Sequence, residues 1–380
     1  MNSENRVLYL DLLRGFAIFG ILISNLPVIA EPPFGMKINH TDLSKLFTSL
    51  GYFFVTGKFF LIFSFVFGYG FTILLNSSET KGFDTKRIFF RRLLGLLLLG
   101  ILHACFFFNG DILITYSLLG VFLYKSKDAS LSDILKMSLY SWIVSALFYG
   151  IIGLLIHYGS KEDPALTKTL TDQSIQGYLG NFTTATLQRL KEIKLTFPFI
   201  ILFNWPSAFC LFLVGLWMGR QNTLNDPNTF FQRFSGYWIY IFVLGVISNS
   251  LFVWVNLESI SYLSDFFTGA SLAIGGVSFA LLYCYGLLKF SESQHYLLRG
   301  LKSAMASVGS MSLTNYLLHS ILLAFIFNGW GLGYYAKLPP EKYMFLVFPI
   351  YGFNLIFSSL WKKYFSMGPF EFVLRKFTYR

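Results

Sequence analysis

His103 and Asp111 are the residues of this chain best suited to chemistry. They stand eight positions apart, across Phe107-Phe108-Asn109-Gly110, in strongly apolar surroundings. A carboxylate that accepts from one imidazole nitrogen orients the ring and leaves the other nitrogen free as a base. The same pair would also serve as a hydrogen-bonded structural link. Asp11 and Arg14 are three apart and share a helix face. Asn25, eleven residues beyond Arg14, returns to within about 20° of the same line, so the polar face extends about 16 Å further. It either lines a polar cavity or is neutralised by an ion pair or a snorkelling arginine. Arg92 and His103 are also eleven apart, on one face and about 16 Å distant along the axis. Arg91 and Arg92, with Arg87 one turn before, read as phosphate partners or as interfacial anchors.

A third polar stretch runs Ser307, Gly309, Ser310, Ser312, Thr314, Asn315, Tyr316, His319, Ser320. Ser312, Asn315 and His319 fall at spacings of three and four and form one stripe. Small hydroxylated residues of this kind also favour close helix packing, as do the glycines of Gly68-Tyr69-Gly70. Lys58 opens an apolar run, His40 sits in the polar segment Asn39-His40-Thr41-Asp42, and His157 and His295 lie near the ends of apolar runs.

The elements that carry these residues are dictated by composition. Of 380 residues 54% are hydrophobic, 19% aromatic and 13% charged, against about 25% charged in soluble domains. Too few charges remain to coat a water-facing surface of this size, which excludes a soluble domain, a disordered chain and a secreted disulfide scaffold. Ten candidate membrane helices can be read, over 7–29, 52–75, 89–108, 111–125, 134–157, 198–220, 236–257, 266–289, 304–328 and 343–361. The second could begin earlier, and the fourth is short and joined to the third by a tight hairpin. The first run follows only Arg6 and lacks a small-residue cleavage site, so it is expected to stay as the first helix.

The net charge of +11 is explained by loops, not by nucleic-acid binding. With the amino terminus inside, 18 of the 30 basic residues fall on inner segments and nine on outer ones, five of these in the long loop 158–197. Positive residues accumulate on the cytoplasmic side. The fold expected is thus all-α: a polytopic membrane helix bundle of about ten transmembrane helices with both termini cytoplasmic. Residues 1–380 form one integral membrane domain, multi-pass in the cell membrane, with 158–197 extracytoplasmic. Within that loop 173–194 could form a helix at the outer surface, and Pro198 marks the start of the next span.

Soluble-enzyme motifs are missing: the chain has no Walker loop, zinc-type His-Glu-x-x-His or Gly-x-Ser-x-Gly elbow. Cys105, Cys210 and Cys284 lie in apolar runs and read as buried small hydrophobes, not metal ligands.

The segment from Leu10-Asp11-Leu12-Leu13-Arg14-Gly15 to Leu22 resembles the opening of the YeiB family, bacterial integral membrane proteins that form a domain of unknown function. The resemblance continues at Gly57-Lys58-Phe59-Phe60, Phe63 to Gly70, Arg91-Arg92-Leu93, Gly100 to His103, and Gly110-Asp111-Ile112-Leu113 with Tyr116. It resumes at Ser312 to Leu317, then Gly368-Pro369-Phe370-Glu371 and Arg375, so it spans the chain. Asp11-x-x-Arg14-Gly15 followed by Asn25 is more remotely similar to the first helix of heparan-alpha-glucosaminide N-acetyltransferase and of the acyltransferase-three membrane enzymes. That resemblance implies transfer of an acyl group from cytoplasmic acyl-CoA to an acceptor across the membrane. It also implies a catalytic histidine in the loop after helix one, a place that only His40 could hold here.

The reading is therefore a transmembrane acyltransferase with acyl-CoA as donor and no metal. His103 and Asp111 would be its catalytic pair, and Arg91 and Arg92 would hold the donor phosphates. Asp11, Arg14, Asn25, Asn315 and His319 would line a polar passage. Its partners would be the lipid bilayer, acyl-CoA and an extracytoplasmic acceptor, with no nucleic acid. The alternatives are a transporter or flippase using the same polar interior without chemistry, and a non-catalytic membrane partner.

Overall fold

A computed structural model of the chain describes residues 3–33, 41–159, 164–232, 235–258 and 262–379. Sixteen α-helices and two 3-10 turns account for nearly all of these residues, and among them there is no strand. In order the helices are α1 (Ser3–Ala30), α2 (Asp42–Phe54), α3 (Phe59–Thr80), α4 (Thr85–Phe106), α5 (Ile112–Lys125), α6 (Leu131–Gly159), α7 (Pro164–Leu179) and α8 (Phe182–Arg220). They continue with α9 (Pro227–Gln232), α10 (Trp238–Glu258), α11 (Tyr262–Glu292), α12 (Tyr296–Ser310), α13 (Ser312–Phe327), α14 (Pro340–Met344), α15 (Val347–Trp361) and α16 (Pro369–Tyr379).

Helix is the outcome that hydrocarbon permits, because each backbone polar group finds its partner within its own segment. Large apolar side chains point away from the bundle, with Tyr240, Phe348, Ile239 and Ile356 each more than 60% exposed. The protein is a polytopic membrane helix bundle. Among the described residues seven helical stretches are long and apolar enough to cross a membrane, or nine if two bent pairs each count as one span.

That differs from ten straight spans in four places. Over 111–125, α5 has only 14 residues, about 21 Å of rise against a hydrocarbon core of about 30 Å. The expected span 304–328 is broken at Met311, where α12 and α13 meet at 87°. The Asn315 amide donates to Val308 O at 3.2 Å and Met311 O at 3.0 Å, holding the elbow from within. The segment 173–194 is not one surface helix, for the chain turns at Gly180 and Asn181 caps α8 by accepting from Thr184 N at 3.0 Å. Pro198 therefore starts no span; it lies inside α8 with Pro206, and the segments Phe182–Leu202 and Asn204–Arg220 bend by 46°.

Two glycine contacts set the packing. A Cβ on Gly309 would lie 1.8 Å from Asp11 O, and one on Gly15 would lie 2.2 Å from Met305 O, so α1 and α12 cross backbone to backbone. Gly68 and Gly215 do the same for α3 and α8, at 2.1 Å from Phe212 O and 2.3 Å from Phe65 O. Small residues at such crossings replace the hydrophobic effect, which lipid does not supply between membrane helices.

The bias of basic residues predicts that the α3–α4 turn is cytoplasmic and the α7 segment is on the far side. Exposed Glu79 and Thr169 report on these two places, whereas Ser78 and Ser174 are buried. In a cysteine-free background, an impermeant thiol reagent applied outside intact cells is expected to label Thr169→Cys and to spare Glu79→Cys. The reverse pattern would overturn the orientation.

Candidate active site

The site is assembled where the carboxyl end of α4 meets the amino end of α5. Asp111 is the N-cap of α5, and its Oδ1 accepts from Ile114 N at 2.9 Å, the short polar side chain taking one of the helix's unpaired amides. Its Oδ2 accepts from His103 Nδ1 at 2.7 Å and from the Tyr316 hydroxyl at 3.2 Å. Tyr316 Oη in turn accepts from Ile112 N at 3.2 Å. His103, Asp111 and Tyr316 are all buried. Because the carboxylate accepts, the proton of neutral His103 sits on Nδ1 and leaves Nε2 as the acceptor. Nε2 is buried and has no hydrogen-bond partner. Gly100 makes room for this arrangement, since a Cβ there would lie 2.7 Å from Asp111 Oδ1.

Two adjoining cavities of about 480 and 320 Å³ lie on the side of Tyr316 away from this pair, and neither His103 nor Asp111 lines them. They share Phe63, Phe67, Arg92, Ser312 and Tyr379. Arg375 and Glu371 line the larger and Arg14 lines the smaller. The larger cavity also reaches Ile112, Tyr116 and Tyr316, so the ring that holds Asp111 is part of its wall. Glu371 is fully engaged: Oε1 accepts from Leu313 N at 2.8 Å and Thr314 N at 3.1 Å, and Oε2 from Thr314 Oγ1 at 2.5 Å. A carboxylate from α16 thus caps the broken end of α13, where amide groups and the helix dipole favour negative charge. The arginines are left as the cavity's available charges, with Arg14 bonded to Asp11 at 2.8 Å.

Not every residue expected at the site reaches it. Arg91 lines neither cavity and lies over the Phe377 ring at 5.8 Å, and Arg87 is exposed. Asn315 is occupied by the elbow and by Ser358, whose Oγ accepts from its Nδ2 at 2.9 Å. Asn25 and His319 line neither cavity; the Asn25 amide nitrogen and both His319 ring nitrogens are buried without a hydrogen-bond partner. Lys58 is buried and donates to Tyr52 O at 2.9 Å. His40 lies outside the described residues. Among the described residues no three His, Cys, Asp or Glu side chains gather as a metal ion would require.

Sequence spacing did not reveal a buried clamp between the α7–α8 pair and the back of the site. Glu192 accepts from Ser174 at 2.8 Å, Tyr178 at 2.6 Å, Gln188 at 3.1 Å and Asn109 at 3.2 Å. Arg189 donates to Phe106 O at 2.9 Å, at the carboxyl end of α4. Asn109 and Phe106 belong to the hairpin between His103 and Asp111, so the clamp fixes the turn that sets their distance. The signal available was the pair Arg189 and Glu192, one turn apart on one helix face.

Residues 218–380 match the family described as protein of unknown function (DUF418). The uncharacterized protein YxaH of Bacillus subtilis (strain 168) is 28% identical over 402 aligned residues, covering 99% of this chain and 95% of that one. The uncharacterized protein YeiB of Escherichia coli (strain K12) is 26% identical, over 98% of this chain and 96% of its own. The chain is thus similar to YeiB along nearly its whole length, and to the DUF418 family over its carboxyl-terminal part. An uncharacterized 39.9 kDa protein from the amylase 3′ region of Bacillus acidopullulyticus is 28% identical over 99% of this chain and 94% of its own length. No solved structure matches the chain.

Two predictions concern charge. The Asp11–Arg14 pair makes each partner the other's counterion, so Asp11→Asn or Arg14→Gln leaves a lone charge and is expected to lower folded yield more than the double variant does. Equal yields in all three would reject a structural pair. For the clamp, Glu192→Leu strands four donors and is expected to cost about 3–5 kcal/mol, read as a lower melting temperature in detergent; no change would exclude a stabilising role.

Proposed function

We propose that this protein is a membrane acyltransferase that moves an acyl group from cytoplasmic acyl-CoA to an acceptor reaching His103 from the opposite side. The observation that carries the reading is the buried His103–Asp111 pair, with Nδ1 fixed and Nε2 free, backing onto an arginine-lined cavity through Tyr316.

Arg92 and Arg375 supply the positive charge that donor phosphates require at the cavity, as charge-assisted partners, while Arg14 beside them is paired with Asp11. The thioester arm extends past Phe63 and Phe67 toward Tyr316. As the acceptor oxygen bonds to the thioester carbonyl carbon, its proton passes to His103 Nε2. The carbon–sulfur bond then breaks and the same proton passes to the leaving thiolate, giving acyl acceptor and free CoA. Asp111 keeps the imidazole in the required tautomer and stabilises the transient imidazolium.

The alternative, transport through the same interior without chemistry, draws on the broken α12–α13 element, since transporters place their sites at discontinuous helices. In such sites the half-helix amino terminus faces the substrate. Here Glu371 already occupies it, which favours the enzyme.

His103→Gln keeps size and some hydrogen bonding but removes the base. It is expected to fold, to bind acyl-CoA like wild type, and to form acyl product about 10²–10⁴-fold more slowly. Asp111→Asn should be impaired less, because an amide still caps α5. Arg92→Gln should raise the KM for acyl-CoA. Wild-type protein that neither binds nor consumes acyl-CoA of any chain length would sink the proposal. Transport of a solute independent of acyl-CoA would establish the alternative.

A further inference from the structure

The polar groups of the interior divide into two kinds. Glu192, Arg189, Asn315 and Glu371 have their side-chain hydrogen bonds made. His319 and Asn354 have none: both ring nitrogens of His319 and both amide atoms of Asn354 are buried without a partner, and each residue has 0% exposure.

The register of α13 against the α14–α15 segment places the two on facing sides. Asn315 of α13 bonds to Ser358 of α15 at 2.9 Å, and further along Phe327 meets Tyr343 at 6.4 Å between ring centroids. The contacts run in opposite chain directions, so the strands of helix are antiparallel. One turn beyond Asn315 is His319, and one turn before Ser358 is Asn354, which this register sets face to face. His319 also adjoins the catalytic pair through Tyr316, whose ring centroid is 5.6 Å from that of His319 and 5.0 Å from that of His103.

Leaving such groups unpaired in an apolar interior is costly. A structural role would have them bonded to each other or to backbone, as Asn315 and Ser358 are. Neutral imidazole and carboxamide each offer a donor and an acceptor and no net charge. The partner that complements both is an O–H group, which donates and accepts at once; a carboxylate or phosphate would leave the acceptors unmet. We propose that His319 and Asn354 form the acceptor subsite, holding a hydroxyl of an uncharged, hydroxyl-bearing acceptor beside His103 Nε2. The proposal rests on the acyltransferase reading for what the held group does, but binding itself does not depend on acyl transfer.

The test uses purified full-length protein in a sugar-free detergent, with glycerol and glucose as probes and water as the competing source of the same O–H chemistry. His319→Leu with Asn354→Leu replaces both polar groups by apolar ones of similar size. Replacing both partners of an unmet polar site is neutral or stabilising, so the double variant is expected to melt no lower than wild type. Wild type is expected to melt higher with millimolar glucose or glycerol, and the double variant to lose that shift. Asn354→Leu alone carries the same test if the pair does not fold. A variant that melts lower without probe overturns the subsite, because the polar pair then serves the fold. A shift that persists in the variant places binding elsewhere, and the absence of any shift in wild type leaves only water; either result overturns the proposal. Acyl transfer measured in parallel separates the two claims: transfer without a shift sinks the subsite alone, and a shift without transfer sinks the enzyme reading alone.

Discussion

A polar atom inside this bundle that finds no partner within the protein is costly, because the surrounding hydrocarbon offers none. That cost explains features that look unrelated. Glu371 comes from the last helix to meet the amides at the start of α13, and Arg189 comes from α8 to meet a carbonyl at the end of α4. Asp111 serves α5 as a cap and His103 as a partner with its two separate oxygens. Glu371 and Arg189 each tie an element to one distant in sequence, and Asp111 joins two neighbouring helices. The polar network therefore fixes the tertiary arrangement more tightly than apolar contact alone would in lipid.

The same cost separates structure from function. A saturated group, such as Glu192 with its four donors, can only hold. An unsaturated one, such as His103 Nε2, pays a standing desolvation cost that folding does not recover. The first kind surrounds the α4–α5 hairpin and immobilises it. The second kind lies just inside that frame, around the Tyr316 ring. The proposed role of His103 as a general base would need such rigid supports, since its reach must be set to within a hydrogen bond's length.

What could be read from the sequence followed from local spacing. The link between His103 and Asp111 was legible because eight residues and a tight turn leave few alternatives. The Asp11–Arg14 pair was legible because three residues define a helix face. The membrane bundle followed from composition and from the long apolar runs. By contrast, Tyr316 carries no charge and reaches Asp111 from 205 residues away, so no spacing rule could place it. The break at Met311 was hidden because the small and hydroxylated residues around it also suit a straight, closely packed membrane helix; its causes, Asn315 and Glu371, act through contacts that periodicity does not report. Arg91 and Arg92 were both read as phosphate partners, although only Arg92 shares a face with His103; the packing of α16 sets Arg91 over the Phe377 ring, and Arg92 lines the cavity.

That break decides where the cavity lies. Without the elbow, the turns before Met311 would continue along the axis of α13 and fill the space beneath Tyr316. Instead α12 is turned aside by 87° and lies against α1, where Gly15 and Gly309 allow the two backbones to touch. The vacated volume is bounded by Ser310 and Ser312 on either side of the elbow, and by Leu374, Arg375 and Thr378 of α16. The residue that caps the broken helix, Glu371, belongs to the same α16 that walls the cavity, and Gly368 makes the join possible: a Cβ there would lie 2.2 Å from the Glu371 carboxylate. Cap, elbow and cavity are thus one construction. A side chain at Gly368 would displace the carboxylate, uncap α13 and move the wall that carries Arg375, although none of these changes touches His103.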